Sequence, residues 1–189
     1  MPANVEIKAR VEDFEATSAL ASRIADDPKP AVLEQRDVFF SAKNGRLKLR
    51  HQKDGRKKKG EEDEDSPLSL AELIAYDRAD SQGPKQSTFS KTKISDPAGL
   101  EEVLAAACGV KGVVSKVRHL FLVENRTRIH LDKVEGLEGA FLELEVMLKE
   151  GETAEEGQTV AEELMEKLNV GEDDLISGAY MDMLLAKKE

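Results

Sequence analysis

The residues of this chain that could do chemistry sit two apart. Asn4, Glu6, Lys8 and Arg10 alternate with Val5, Ile7 and Ala9, and Arg46, Lys48 and Arg50 alternate with Leu47 and Leu49. The pairs Tyr76 and Arg78, Lys91 and Lys93, and Lys116 and Arg118 repeat the spacing. Arg126, Arg128, His130 and Asp132 form an unbroken polar row against Thr127, Ile129 and Leu131, and Glu143 and Glu145 stand against Leu142, Leu144 and Val146. On an extended strand alternate side chains share a face, so each row is one face of a strand, with like charges about 7 Å apart. Such neighbours repel unless counter-charge or water lies between them. Taken singly, each strand reads as a solvated face, where water screens the repulsion. The recurrence of Lys and Arg over five segments, with acids at same-face spacing in three others, points instead to polar rows that converge. Converging Arg and Lys side chains clamp phosphate oxygens, Arg through a bidentate fork and Lys as a point charge. Converging Glu and Asp oxygens suit a hard divalent cation such as Mg2+ or Mn2+.

The elements that must carry these rows are strands. Period-2 patterning predicts eight of them, at Val5–Val11, Leu33–Ser41, Arg46–Gln52, Glu72–Ala79, Ser87–Ile94, Val113–Val123, Arg126–Val134 and Ala140–Leu148. Polar or glycine-containing turns such as Lys43-Asn44-Gly45 and Glu135-Gly136 join several of them. Eight antiparallel strands close into a barrel just wide enough for side chains or one small ligand. The predicted fold is therefore α+β, a closed eight-stranded antiparallel barrel with a charged interior and flanking helices. Four helices are expected. They cover Glu12 to Ile24, a segment opened by Asp96-Pro97 and closed by Gly109, a segment from Thr153 to before Gly171, and one from about Asp173 to Lys187.

With 189 residues the chain suits a single domain spanning 1–189. Within it, Lys53–Pro67 reads as a flexible, low-complexity charged loop, basic at 56–59 and acidic at 61–65. The net charge of -10 and the absence of Trp argue against a duplex-binding or single-strand-stacking protein, and no apolar run reaches the ~20 residues of a membrane span. The expectation is a cytoplasmic monomer or homodimer with no nucleic-acid or membrane partner. Cys108, the sole cysteine, allows no internal disulfide and reads as a small buried hydrophobe.

These motifs also resemble those of the CYTH superfamily, the triphosphate tunnel metalloenzymes. The resemblance rests on Val5-Glu6-Ile7-Lys8-Ala9-Arg10, Gly45 to Arg50, Tyr76-Asp77-Arg78, Lys116-Val117-Arg118, Thr127 to Leu137, Phe141 to Val146 and Ser177 to Asp182. The style of the motifs is similar to the class IV adenylyl cyclase-like branch. The resemblance implies a tunnel acting on a triphosphate-containing small molecule, inorganic triphosphate or ATP among them, with Mg2+ or Mn2+. Carried over by position, Glu6, Asp132, Glu143 and Glu145 would bind metal, with Glu6 or Glu143 positioning a water. Lys8, Lys48, Arg50, Arg78, Lys116 and Arg118, helped by Arg126 or Arg128, would hold phosphates. One departure stands out: the first strand of the family opens Glu-x-Glu-x-Lys, and here the first position is Asn4, whose amide brings no charge to a cation.

Three activities follow as expectations. Metal-dependent hydrolysis of a triphosphate needs only the tunnel and the metal. Conversion of ATP to cyclic AMP and pyrophosphate also needs a site for base and sugar. A non-catalytic polyphosphate- or nucleotide-binding module is the third, and Asn4 is what suggests it. His130 reads as a hydrogen-bonding wall residue within the charged row.

Overall fold

The computed structural model describes residues 3–56, 68–78 and 82–187, with the Arg78 side chain outside the described set. Strands β1 (Ala3–Val11), β2 (Ala31–Phe40), β3 (Arg46–Asp54), β4 (Leu70–Arg78), β5 (Lys85–Lys93), β6 (Val110–Val123), β7 (Thr127–Val134) and β8 (Ala140–Met147) form one closed barrel. Around the barrel the order is β1-β5-β4-β3-β2-β6-β7-β8, and each strand runs antiparallel to both neighbours. Of the charged stretch expected at 53–67, residues 57–67 lie outside the described residues.

The strand alternation turns the apolar rows outward, because helices are there to cover them. Helix α1 (Phe14–Ile24), capped by Asp13 accepting from the Ala16 N–H, and α3 (Ala154–Lys167), opened by a Thr153/Glu156 capping box, lie over β1, β7, β8 and part of β6. Between them they bury Ile7, Phe121, Ile129, Leu131, Leu142 and Leu144 against Ala21, Leu164, Met165 and Leu168. Each fully buried aliphatic of this size contributes roughly 1.5–3 kcal/mol, which makes the outward packing a strong constraint on strand facing. Helix α2 (Pro97–Cys108) covers Val38, Phe40 and Leu49 through Leu100 and Leu104. With side-chain period 2, the alternate charged positions must then face the lumen.

The C-terminal segment departs from the continuous helix expected between Asp173 and Lys187. A single 3-10 turn, Glu172–Asp174, gives way to extended chain, and α4 begins only at Tyr180 and ends at Ala186. Leu175 bridges to Ala9, and the Ile176 N–H donates to the Lys8 carbonyl. Gly178 takes a positive φ of 80°, a conformation open to glycine without a Cβ penalty. That bend sends Tyr180 and Met181 against the inward-facing Phe39, Val114 and Phe141, where they plug one end of the barrel.

Candidate functional site in the barrel lumen

The lumen is built from one row of each strand. Asn4, Glu6 and Lys8 enter from β1, Asp37 and Phe39 from β2, and Lys48 and Arg50 from β3. Next come Glu72, Ile74 and Tyr76 from β4 and Ser87, Phe89 and Lys91 from β5. Lys116 and Arg118 of β6, Arg128 of β7 and Glu143 and Glu145 of β8 complete the wall, with Ala179 and Tyr180 at the plugged end. Register sets the neighbours: Lys8 opposes Glu143 and Glu6 opposes Glu145 on β1–β8, while His130 opposes Glu143 and Arg128 opposes Glu145 on β7–β8.

Two carboxylates organise most of the cations. Asp37, 2% exposed, accepts from Arg50 through Nε and Nη2 at 2.7 Å each and from Lys48 Nζ at 3.0 Å. Burial alone would raise its pKa, but the charges of Arg50 and Lys48 overcome that and hold the carboxyl far below the usual range. Asp132 is matched with Arg118, which reaches Oδ1 at 2.7 Å and Oδ2 at 2.6 Å; Lys116 Nζ stands at 3.4 Å and the Tyr180 hydroxyl donates at 2.9 Å. Here too burial is outweighed by Arg118 and Lys116, and the pKa falls to about 2. Lys116 is pushed down to about 8, first by burial and then by the neighbouring Arg118 charge. The Tyr180 hydroxyl is raised well above its ordinary value by burial and by Asp132, so it stays a donor. The Tyr180 ring lies 3.8 Å under Lys8 Nζ, a cation–π contact tying the plug to the charged layer.

A third group is acidic. Glu143 accepts from Arg118 Nη2 at 2.6 Å and from Lys8 Nζ at 3.0 Å, and these cations keep it ionised against the effect of burial. Glu145 pairs with Arg128 at 3.3 Å. His130 Nδ1 lies 3.8 Å from Glu143 and 3.7 Å from Glu145, and it is buried with no hydrogen-bond partner. Burial, reinforced by Arg118, lowers the His130 pKa and favours the neutral imidazole. His130, Glu143 and Glu145 thus offer ligand atoms within 4.8 Å of one another, and an orphaned buried nitrogen between two carboxylates fits a divalent cation. Asn4, 3% exposed, adds a second orphan, its Oδ1, to the lumen wall.

Of the residues singled out in the sequence, the structure brings Glu6, Lys8, Lys48, Arg50, Lys116, Arg118, Arg128, Glu143 and Glu145 together in this lumen. Arg126 does not join them. Strand β7 begins one residue later, at Thr127, after Glu124 and Asn125 take left-handed turn conformations, and Arg126 pairs with Glu152 at 2.8 Å. Asp132 shares the inward row of β7 but is not among the residues lining the cavity, and its two oxygens accept from Arg118, Lys116 and Tyr180. The Arg78 side chain falls outside the described residues. Sequence reasoning missed Asp37, the place of Tyr180 in the wall, and the nearness of His130 to both glutamates.

Residues 2–180 match the model of the CYTH domain. Among curated proteins none matches the sequence significantly. Among solved structures, the PH1012 protein of Pyrococcus horikoshii OT3 superposes with a TM-score of 0.75 at 23% identity, covering 96% of this chain and 99% of its own. A Vibrio parahaemolyticus protein described as a candidate adenylate cyclase gives a TM-score of 0.71 at 19% identity, with 97% of each chain covered. HpAC1 of Hippeastrum, an adenylyl cyclase candidate with a dominant triphosphatase activity, gives 0.63 at 16%, covering 97% of this chain and 96% of its own. At these identities the likeness is one of fold; the match of the domain model over nearly the whole length establishes that the chain belongs to the CYTH domain family.

Proposed function

We propose that this protein hydrolyses a triphosphate held inside the barrel, with a divalent cation as cofactor. The observation that carries the reading is the meeting of six lumenal cations, Lys8, Lys48, Arg50, Lys116, Arg118 and Arg128, with the Glu143–Glu145–His130 cluster. Among the described residues seven cations line the cavity against five carboxylates, a surplus that suits a polyanion partly neutralised by a cation. Arg50 and Arg118 are already oriented by Asp37 and Asp132, so their remaining N–H groups meet phosphate oxygens at little reorganisation cost. His130, Glu143 and Glu145 would hold the cation, which when bound supplies Lewis-acid neutralisation of phosphoryl oxygens. Lys8 and Arg118 keep Glu143 ionised for that role. Glu6, in the wall opposite Glu145, is then the carboxylate that orients the attacking water. The triphosphatase activity of HpAC1, a neighbour in fold, supports the same reading.

The test is product analysis with tripolyphosphate and with ATP, each with Mg2+ or Mn2+. Orthophosphate release is expected. Cyclic AMP with pyrophosphate would assign cyclisation instead, and tight triphosphate binding without turnover would make the protein a binding module.

A further inference from the structure

Outside the barrel, helix α1 packs on Phe121, Ile129 and Leu131, and helix α2 packs on Val38, Phe40 and Leu49. Between them the first half of β6 keeps its outer row bare. That row holds Val110, Val113 and Val117, which are 49%, 39% and 39% exposed, with Ser115 among them. Strand β6 is paired on both sides, by β2 and β7, so its valines offer a face and not an edge. An apolar row of this kind is favourably covered by apolar surface from outside.

The charges beside the row stand in register. Glu34 of β2 and Lys133 of β7 flank Val117, while Arg36 of β2 and Glu135, just after β7, flank Ser115. All four are exposed, and they border one groove of about 520 Å3. Glu101 holds Arg36 at 2.8 and 2.9 Å, and Lys133 Nζ lies 4.4 Å from the centre of the Phe14 ring, so both cations are fixed in place. Each level therefore carries opposite signs on the two sides of β6, and the order reverses from one level to the next. A two-fold axis parallel to β6 exchanges the sides and keeps the levels. It lays the valines of one copy on those of another, sets Glu34 opposite Lys133 of the other copy, and sets Arg36 opposite Glu135. A partner of one sign would instead meet like charge at two of the four positions. We infer that this face of β2, β6 and β7 is an isologous interface between two copies of this chain.

Sedimentation equilibrium of the full chain over a concentration series measures the dimer Kd. Glu34→Lys and Lys133→Glu each set like charges against one another at two symmetry-related contacts, and each should raise that Kd at least about tenfold. The double reversal makes the pairs opposite again and should return the Kd to within about threefold of wild type. Val117→Asp puts carboxylates close to the axis and should raise it at least about a hundredfold. Circular dichroism melts check that each variant is folded. Should Lys133→Glu, which also loses its Phe14 contact, fail to fold, Glu34→Lys and Val117→Asp carry the test. A wild type that stays monomeric up to about 100 μM overturns the inference. So does a dimer that is indifferent to Glu34→Lys and Val117→Asp, or one that the double reversal fails to restore.

Discussion

Replacing Asp37 by asparagine isolates the one carboxylate that holds the lumenal cations Lys48 and Arg50. The substitution keeps shape and removes charge. Lys48 and Arg50, whose side chains are each 14% exposed, would then face one another with no anion between them. Breaking a buried ion pair by removing one partner costs about 3–5 kcal/mol. In a chain of this length that is a fall of roughly 6–20 °C in the midpoint of thermal unfolding, readable by circular dichroism. The pH dependence has a defined sign. Asp37 titrates in the folded state far below an unfolded aspartate, so its stabilisation is present above about pH 3.9 and is lost as pH falls towards the folded value. Wild type and variant should therefore converge in acid. Tripolyphosphate offers the missing negative charge to the same cations. At about 100 times its Kd a ligand stabilises by about 2.7 kcal/mol, so saturating tripolyphosphate should recover roughly 5–11 °C of the variant's midpoint. A variant within 2 °C of wild type at pH 7, or a gap that persists unchanged in acid, would refute this account of Asp37.

Other expectations follow from the same geometry. Glu145→Gln and Arg50→Ala should each lower triphosphate turnover by about a hundredfold in steady-state assays, with the β-barrel circular dichroism signal retained. Tyr180→Phe removes a donor to the buried Asp132 and should cost about 1.5–3 kcal/mol in denaturant unfolding. Lys116, charged below about pH 8 in the fold, should weaken triphosphate binding as pH rises through that value, and Lys116→Met should flatten the profile. Between about 8 and the ordinary lysine value the unfolded chain holds the extra proton, so this group adds stability as pH rises there. Asn4→Glu puts a carboxylate where an orphaned amide oxygen now faces the lumen, and Mn2+ titration should show tighter binding.

Strand number, closure and facing were legible because alternation carries both chemistry and packing. Val5, Ile7 and Ala9 must be covered, so Asn4, Glu6 and Lys8 must turn inward. Asp37 was not legible, since β2 carries polar residues on both faces. Glu34 and Arg36 lie outside and Gln35 and Asp37 inside, and no row of single sign separates them. The parity of β7 does not extend to Arg126, because the strand begins at Thr127 after a turn at Glu124 and Asn125. Leu175, Ile176, Tyr180 and Leu184 have helical spacing, yet only Tyr180–Ala186 forms α4. Pairing of Leu175 with Ala9 and the bend at Gly178 are tertiary effects that spacing does not encode. The partnerless nitrogen of His130 emerges only once β7 and β8 are in register.

The seam between β1 and β8 joins the first strand to the last, and the backbone of Ile176 clasps Lys8. Contacts so remote in sequence are slow to form, because the loop entropy is lost before the pairing is gained. In a sheet not closed at that seam, Lys48, Arg50, Lys116 and Arg118 would be hydrated and their ion pairs would contribute little. The charged lumen therefore depends on a pairing between the first strand and the last, and its wall is complete only once that long-range contact is made.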